Sequence, residues 1–194
     1  LPSYYGISCY EFPRRDTRAT CVHWNTAKLL YPFDRVLGFS MRYFEDIEVG
    51  EVWDLGQREV DEAEIVEFAT KYDPQPFHID AVAAVESFFG GLIASGWHTS
   101  AIMMGLLAGS IKSQKLDAQG APGVDQCRWL VPVRPGDVLH GRATVLAIRP
   151  SNTRPMGLVT LRTEVFNQGD AKVAQMQGTG MYGCRPATKV GDGA

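Results

Sequence analysis

The sequence predicts an α+β domain in which an antiparallel sheet wraps around one long helix. Three observations carry that prediction. An amphipathic helical stretch over 62–73 runs into a proline-rich loop. A longer helical stretch rich in small residues opens near 96, and everything beyond about 124 reads as strands separated by turn signals. At 194 residues the chain has length for one sizeable domain and hardly for two.

Residues 1–40 stand apart, with scattered Tyr, Cys, Pro and Arg and no sustained period. They read as an N-terminal extension, either foreign to the domain or an arm covering it. The domain is expected to span 41–186, starting at Met41, with 187–194 as a C-terminal tail. A first strand is expected over 51–60, anchored by Val52, Trp53 and Leu55. Asp61 then reads as a helix N-cap, with Glu64 placed to complete a capping box. Ile65, Phe68, Ala69 and Tyr72 follow at helical spacing on one apolar face. Pro74 disfavours helical backbone at Asp73 and ends the helix there.

Asp80 can cap a second, short helix through Ala83, Ala84 and Phe88 to Gly90-Gly91. The long helix continues through Ile102, Leu106, Leu107 and Ile111. Its small residues (Ser100, Ala101, Gly105, Ala108, Gly109) suit a central helix approached closely on most sides. A Gly/Pro/Asp linker over 117–125 leads to a strand over 124–133, which Arg134-Pro135-Gly136-Asp137 closes as a turn. Another strand is expected over 138–148. Over 158–167, Val159, Leu161 and Val165 alternate with Arg162 and Glu164, predicting a strand with one apolar and one charged face. Asn167-Gln168-Gly169-Asp170 is a hairpin turn, and 171–182 returns.

Composition narrows the function classes. The chain is 45% hydrophobic and 21% charged, with a formal net charge of −3. That balance, without a basic run, argues against a nucleic-acid partner. The longest apolar stretch, around 102–108, is too short and Gly-rich to span a membrane, and the N-terminus lacks the form of a secretory signal. Cys9, Cys21, Cys127 and Cys184 lack metal-ligand spacing and read as free thiols in a reducing cytoplasm.

The most informative stretch is Tyr72-Asp73-Pro74-Gln75-Pro76-Phe77-His78-Ile79-Asp80. It sets a carboxylate and an imidazole five residues apart on backbone stiffened by two prolines. Asp and His are the pair best suited to share and move a proton near neutral pH.

Asp73-x-x-Pro76-x-His78 resembles the signature of the MaoC-like dehydratases, which include (R)-specific 2-enoyl-CoA hydratases. Ile93-Ala94-Ser95-Gly96 is similar to that family's small-residue entry to its central helix. Arg128-Trp129-Leu130-x-Pro132-Val133-x-Pro135-Gly136-Asp137 is similar to its closing strand and turn. The resemblance covers roughly Met41 to Pro186. It implies the hot-dog fold, assembled as a homodimer or a higher homo-oligomer. It departs at Gln75, where the family often has Asn, and at Met104, where some short-chain hydratases carry a hydroxyl.

The implied chemistry is reversible addition of water across the 2,3 double bond of an enoyl-CoA. Resemblance assigns Asp73 and His78 to one shared water. The backbone N–H of Gly96, at a helix N-terminus, is expected to hold the thioester oxygen. Gln75, Ser95, Trp97 and Met104 are candidates for substrate contact, with loop support competing for Gln75 and core packing for Trp97, Phe77 and Phe88. His98 could face the site, though a structural role is expected; none is assigned to His23 or His140. Arg128, Arg134, Lys112 and Lys115 are available to coenzyme A phosphates, and sequence does not choose among them. No metal and no redox cofactor is expected, coenzyme A entering only as part of the substrate. Two rival readings are a hot-dog thioesterase and a non-catalytic acyl-CoA-binding subunit. The first is disfavoured because the long helix carries no acid between Trp97 and Ile111, the second because the Asp–His pair is intact.

Overall fold

A computed structural model of the chain describes residues 40–186. The extension expected over 1–40 (apart from Ser40), the tail at 187–194, His23, Cys9 and Cys21 lie outside the described residues.

Strand β1 (Val52–Glu59) buries Trp53 and Leu55 on alternate positions. A bulge between Asp54 and Gln57 interrupts its register; Gly56 takes φ +72 there and donates its N–H to Asp54 Oδ1. Helix α1 (Glu62–Tyr72) starts where expected, with Asp61 accepting the Glu64 N–H at 3.1 Å. The reciprocal half of the capping box is replaced, because the Glu64 carboxylate turns to Arg58 at 2.5–2.6 Å. Ile65 and Ala69 are buried as expected, whereas Tyr72 is exposed and rests on the Phe68 ring. Pro74 ends the helix at Asp73, the C-cap.

The loop expected between α1 and the Asp80 cap contains a further turn of helix, α2 (Pro76–Ile79), with Pro76 at its first position. Asp80 caps α3 (Ala81–Val85) through the N–H groups of Val82 and Ala83. That helix stops short of Phe88, which is 97% exposed rather than core. The long helix α4 (Gly96–Ser113) is capped by Ser95 and buries Ile102, Met103, Leu107 and Ser110. It is buried on one side only. Trp97, Ala101, Met104, Gly105, Ala108 and Gly109 are exposed, so of the small residues only Ser100 is approached closely within the chain.

The expected linker after α4 carries a short strand, β2 (Ala118–Gly120), before β3 (Val124–Trp129). Then β4 (Val138–Pro150), β5 (Met156–Phe166) and β6 (Lys172–Gly183) form a long antiparallel meander. The sheet order is β1-β4-β5-β6, with β2 and β3 both pairing β6 and every pair antiparallel. This is the hot-dog arrangement: the sheet curls round α4. One apolar cluster, around Ile65, Ile102, Met103, Leu139 and Val173, fills the end near the Asp–His loop. A second, around Ile47, Trp53, Leu107, Val145 and Val159, fills the other end, and Leu106 packs against both. Area removed from water at these positions is the main source of stability.

Glu164 adds a buried cluster to the expected charged face of β5. It lies on the charged face but is only 4% exposed, covered by Arg142 at 3.1 Å and by the Lys172 ammonium. Burial alone would raise this carboxyl, but hydrogen bonds from Lys172 and Arg142 outweigh it and hold it below its ordinary 4.5. A depressed folded value means the stabilisation is present above the unfolded pKa and is lost as pH falls through the folded one. Glu164→Gln is therefore expected to lower neutral stability by about 1–3 kcal/mol and to flatten the loss of stability below about pH 4.5. Chemical denaturation at several pH values checks this; an unchanged acid limb would overturn it.

Candidate active site

Three elements converge on one place. The C-cap of α1 supplies Asp73, α2 supplies His78, and the cap and first turn of α4 supply Ser95 and Gly96. The loop between α1 and α2 is held by its own backbone: Gln75 N–H donates to the Asp73 carbonyl at 2.7 Å, and His78 N–H to the Gln75 carbonyl at 2.9 Å. The Asp73 and His78 side chains therefore point together, with Oδ2 and Nε2 separated by 3.5 Å.

The imidazole is buried, and its Nδ1 lies 2.8 Å from the Ile93 carbonyl. A carbonyl only accepts, so Nδ1 carries a proton and Nε2 is the atom turned toward Asp73. At 3.5 Å the two atoms are spaced for one water to reach both. Asp73 is partly exposed, so the pair is accessible from a cavity of about 500 Å³. Its walls include Phe77, Phe89, Ile93, Thr99, Trp129 and the 130–133 segment, and Asp73 is the one carboxylate among the lining residues.

The candidate contact residues divide. Gly96 lines the cavity. A Cβ placed on it would lie 2.4 Å from the Trp129 indole, so glycine is required there by close approach. Ser95 is fully buried and lies outside the lining of this cavity. Its Oγ donates to Asp73 Oδ2 at 2.7 Å and accepts the Trp97 N–H, so it orients the acid and caps α4 together. Gln75 is exposed and outside the lining; its backbone supports the loop. Trp97 and Met104 are exposed, not core, and line a different cavity beyond Trp129. Phe88, although exposed, stands at the cavity of the Asp–His pair, while Phe77 is half-buried there.

Ser95→Ala is expected to cost about 1–2 kcal/mol of stability through the lost cap. It should also lower kcat roughly tenfold, because Asp73 loses its orienting donor. Thermal melts and steady-state kinetics check this, and a parental kcat would overturn the orienting role.

His98 and His140 stand apart from the pair. His98 stacks on Phe68 at 4.8 Å, 3.5 Å from Glu64, away from the cavity lining. Burial pushes its imidazole down, with Glu64 opposing. His140, on β4, stacks on Phe166 and faces Asp170 in the turn between β5 and β6. Arg134 is engaged with the Phe89 carbonyl at 2.6 Å, pinning the loop that borders the cavity. Among the described residues no group of three or more His, Cys, Asp or Glu comes together to hold a metal ion.

A model described as MaoC like domain matches residues 46–167, more than half of the chain. The chain belongs to the MaoC-like domain family. Among solved structures it resembles the MaoC-like dehydratase from Rhodospirillum rubrum, at 42% identity and TM-score 0.68, covering 75% of this chain and 99% of that one. Among curated proteins it is 30% identical over 135 residues to the 3-hydroxybutyryl-CoA dehydratase of Methylorubrum extorquens, covering 68% of this chain and 82% of that protein. A Mycobacterium tuberculosis protein described as a double hotdog fold superposes with TM-score 0.62 at 19% identity. It covers 78% of this chain and 47% of its own and bears on the fold alone. The MaoC-like match carries the dehydratase and hydratase class. No helix among the described residues is long and apolar enough to cross a membrane.

What sequence reasoning missed is the support around the pair. The Ser95 bond to Asp73 left one usable signal: a serine directly before a helix start reads as a cap. The indole of Trp129 over Gly96 left none.

Proposed function

We propose that the chain is an acyl-thioester hydratase/dehydratase, adding water reversibly across the 2,3 double bond of an enoyl-CoA to give a 3-hydroxyacyl-CoA. The observation carrying this reading is the 3.5 Å approach of Asp73 Oδ2 and His78 Nε2 on the wall of an apolar cavity. A water held by both loses one proton to the pair as its oxygen bonds to C3. The pair then delivers a proton to C2, so that H and OH are both added and nothing is oxidised or reduced. Negative charge gathers on the thioester oxygen during attack. The first N–H groups of α4 at Gly96, which have no partner within the helix, are disposed to receive it.

This chemistry needs no metal or redox group, and coenzyme A enters only as the thiol of the substrate. Free Cys127 and Cys184 fit a cytoplasmic setting. A second copy of the chain is the expected partner, and the exposed Trp97, Met104, Trp129, Leu130 and Val131 support a homodimer.

Loss of conjugated-thioester absorbance on a panel of 2-enoyl-CoAs tests the reading. Turnover with no free thiol is expected. Thiol release without hydration would instead indicate a thioesterase, and saturable binding without either reaction would indicate a binding subunit.

A further inference from the structure

Helix α1 meets the start of α4 at three levels. Ile65 and Ile102 share one apolar cluster. One turn nearer Asp73, the Phe68 ring of α1 stacks on the His98 ring of α4, with centroids 4.8 Å apart and planes inclined by 16°. At the end, Ser95 Oγ donates to Asp73 Oδ2. The imidazole therefore stands between a core contact and the bond that orients the acid.

His98 is a costly occupant of that seat. It is only 2% exposed, and neither ring nitrogen has a hydrogen-bond partner among the described residues. Nε2 comes within 3.5 Å of Glu64 Oε1, an electrostatic approach and not a hydrogen bond. Burying two polar nitrogens without partners is unfavourable, and an apolar side chain would fill the space without that penalty. What an imidazole adds is a thin flat ring with a polar edge. Glu64 and Phe68 lie four residues apart on one face of α1, so the ring rests its face on one and turns its edge to the other.

We propose that His98 is a positioning residue of the acid–base site: its neutral ring, gripped by Phe68 and Glu64, sets the end of α1 against the first turn of α4 and so delivers the Asp73 carboxylate to Ser95 and to the water it would share with His78. This rests on the hydratase reading. The grip is made for a neutral ring. The charged groups that face it are Glu64 from α1 and Arg58 from β1, and α4 itself carries no Asp, Glu, Lys or Arg before Lys112. Burial pushes the imidazole below its ordinary 6.5, against the pull of Glu64. A lowered folded value keeps the ring neutral at pH 7. Its contribution to stability is then full above the unfolded value and is lost as pH falls toward the folded one. Once charged, the ring competes with Arg58, which lies 2.5–2.6 Å from the same carboxylate.

The test is the pH profile of kcat and KM for hydration between about pH 5 and 8 in the parent, His98→Ala, His98→Phe and Glu64→Gln. Thermal melts, calorimetric binding of a saturated acyl-CoA and the NMR resonances of the His78 ring accompany it. His98→Ala should lower kcat about tenfold near neutral pH and leave acyl-CoA affinity within about twofold. It should also shift the His78 resonances, because the carboxylate beside Nε2 has moved. His98→Phe, which restores a flat ring against Phe68, should recover most of that kcat and lose less of it on acidification than the parent does. Glu64→Gln should carry the acid-side loss to lower pH, since the group that favours the charged ring is gone. Parental kcat and His78 resonances in a folded His98→Ala would make His98 a core ring and nothing more. If that variant does not fold, acid-side profiles unchanged in both His98→Phe and Glu64→Gln would overturn the proposal while leaving the hydratase reading intact. If the parent hydrates nothing, that reading fails, and the His78 resonances still decide whether His98 positions the pair.

Discussion

Asp73→Asn and His78→Ala are each expected to lower kcat/KM for enoyl-CoA hydration by roughly 10²–10⁴-fold, the range for removing a positioned acid–base group. Asp73→Asn is the cleaner variant. It keeps the shape of the side chain and leaves an oxygen to accept from Ser95 Oγ, now at 2.7 Å, so the loop has little reason to move. What it loses is the capacity to take a proton. His78→Ala also deletes the 2.8 Å bond to the Ile93 carbonyl and opens space beside a buried position. It should therefore cost stability as well, about 1–3 kcal/mol. On the proposed mechanism both side chains address one water, so their effects should not add. The double variant should be about as slow as the slower single one, since either loss leaves the water unactivated. Single-turnover hydration assays with thermal melts check all three proteins. Fully multiplicative losses would mean that the two groups act on separate steps, and a variant within tenfold of the parent would remove that residue from the mechanism.

Gly96→Ala should have the next largest effect. The added methyl would stand 2.4 Å from the Trp129 indole, inside any allowed contact, so the ring must leave its seat. Overpacking of that kind costs about 1–3 kcal/mol. Hydration should fall about 10²-fold, because the methyl also crowds the first turn of α4, the proposed seat of the thioester oxygen. Pairing it with Trp129→Ala separates the two causes. The double variant should regain most of the lost stability, since the clash is gone, while remaining slow. Recovery of the parental kcat in the double variant would show that Gly96 serves only to seat the indole.

Much of this was legible because it is local. Asp61 and Pro74 bracket α1 by capping and by steric exclusion, and both act within a few residues. The Asn167 turn is equally self-contained, its side chain accepting from Gly169 and Ala171. Asp73 and His78 could be read as a pair because the prolines between them restrict the backbone. The rest depends on how the sheet closes. Ser95 meets Asp73 across 22 residues and Trp129 meets Ser100 across 29, and no periodicity encodes either. Alternation puts Glu164 on the charged face of β5 but does not report how many cations cover it. Trp97 and Met104 were assigned by position along α4, but the indole of Trp129 sets them apart from the acid–base pair.

The pairing of β1 with β4 carries a consequence for how activity is acquired. Strands β4, β5 and β6 are joined by short turns and can zip together from local contacts. Val52 finds Thr144, by contrast, only across most of the domain. Closing so long a loop is entropically costly and comes after local structure has formed. Everything that makes the Asp–His pair lies inside that loop, between β1 and β4. In refolding of the complete chain the meander is therefore expected to form before the acid–base pair is competent, so that recovery of turnover lags behind recovery of strand structure.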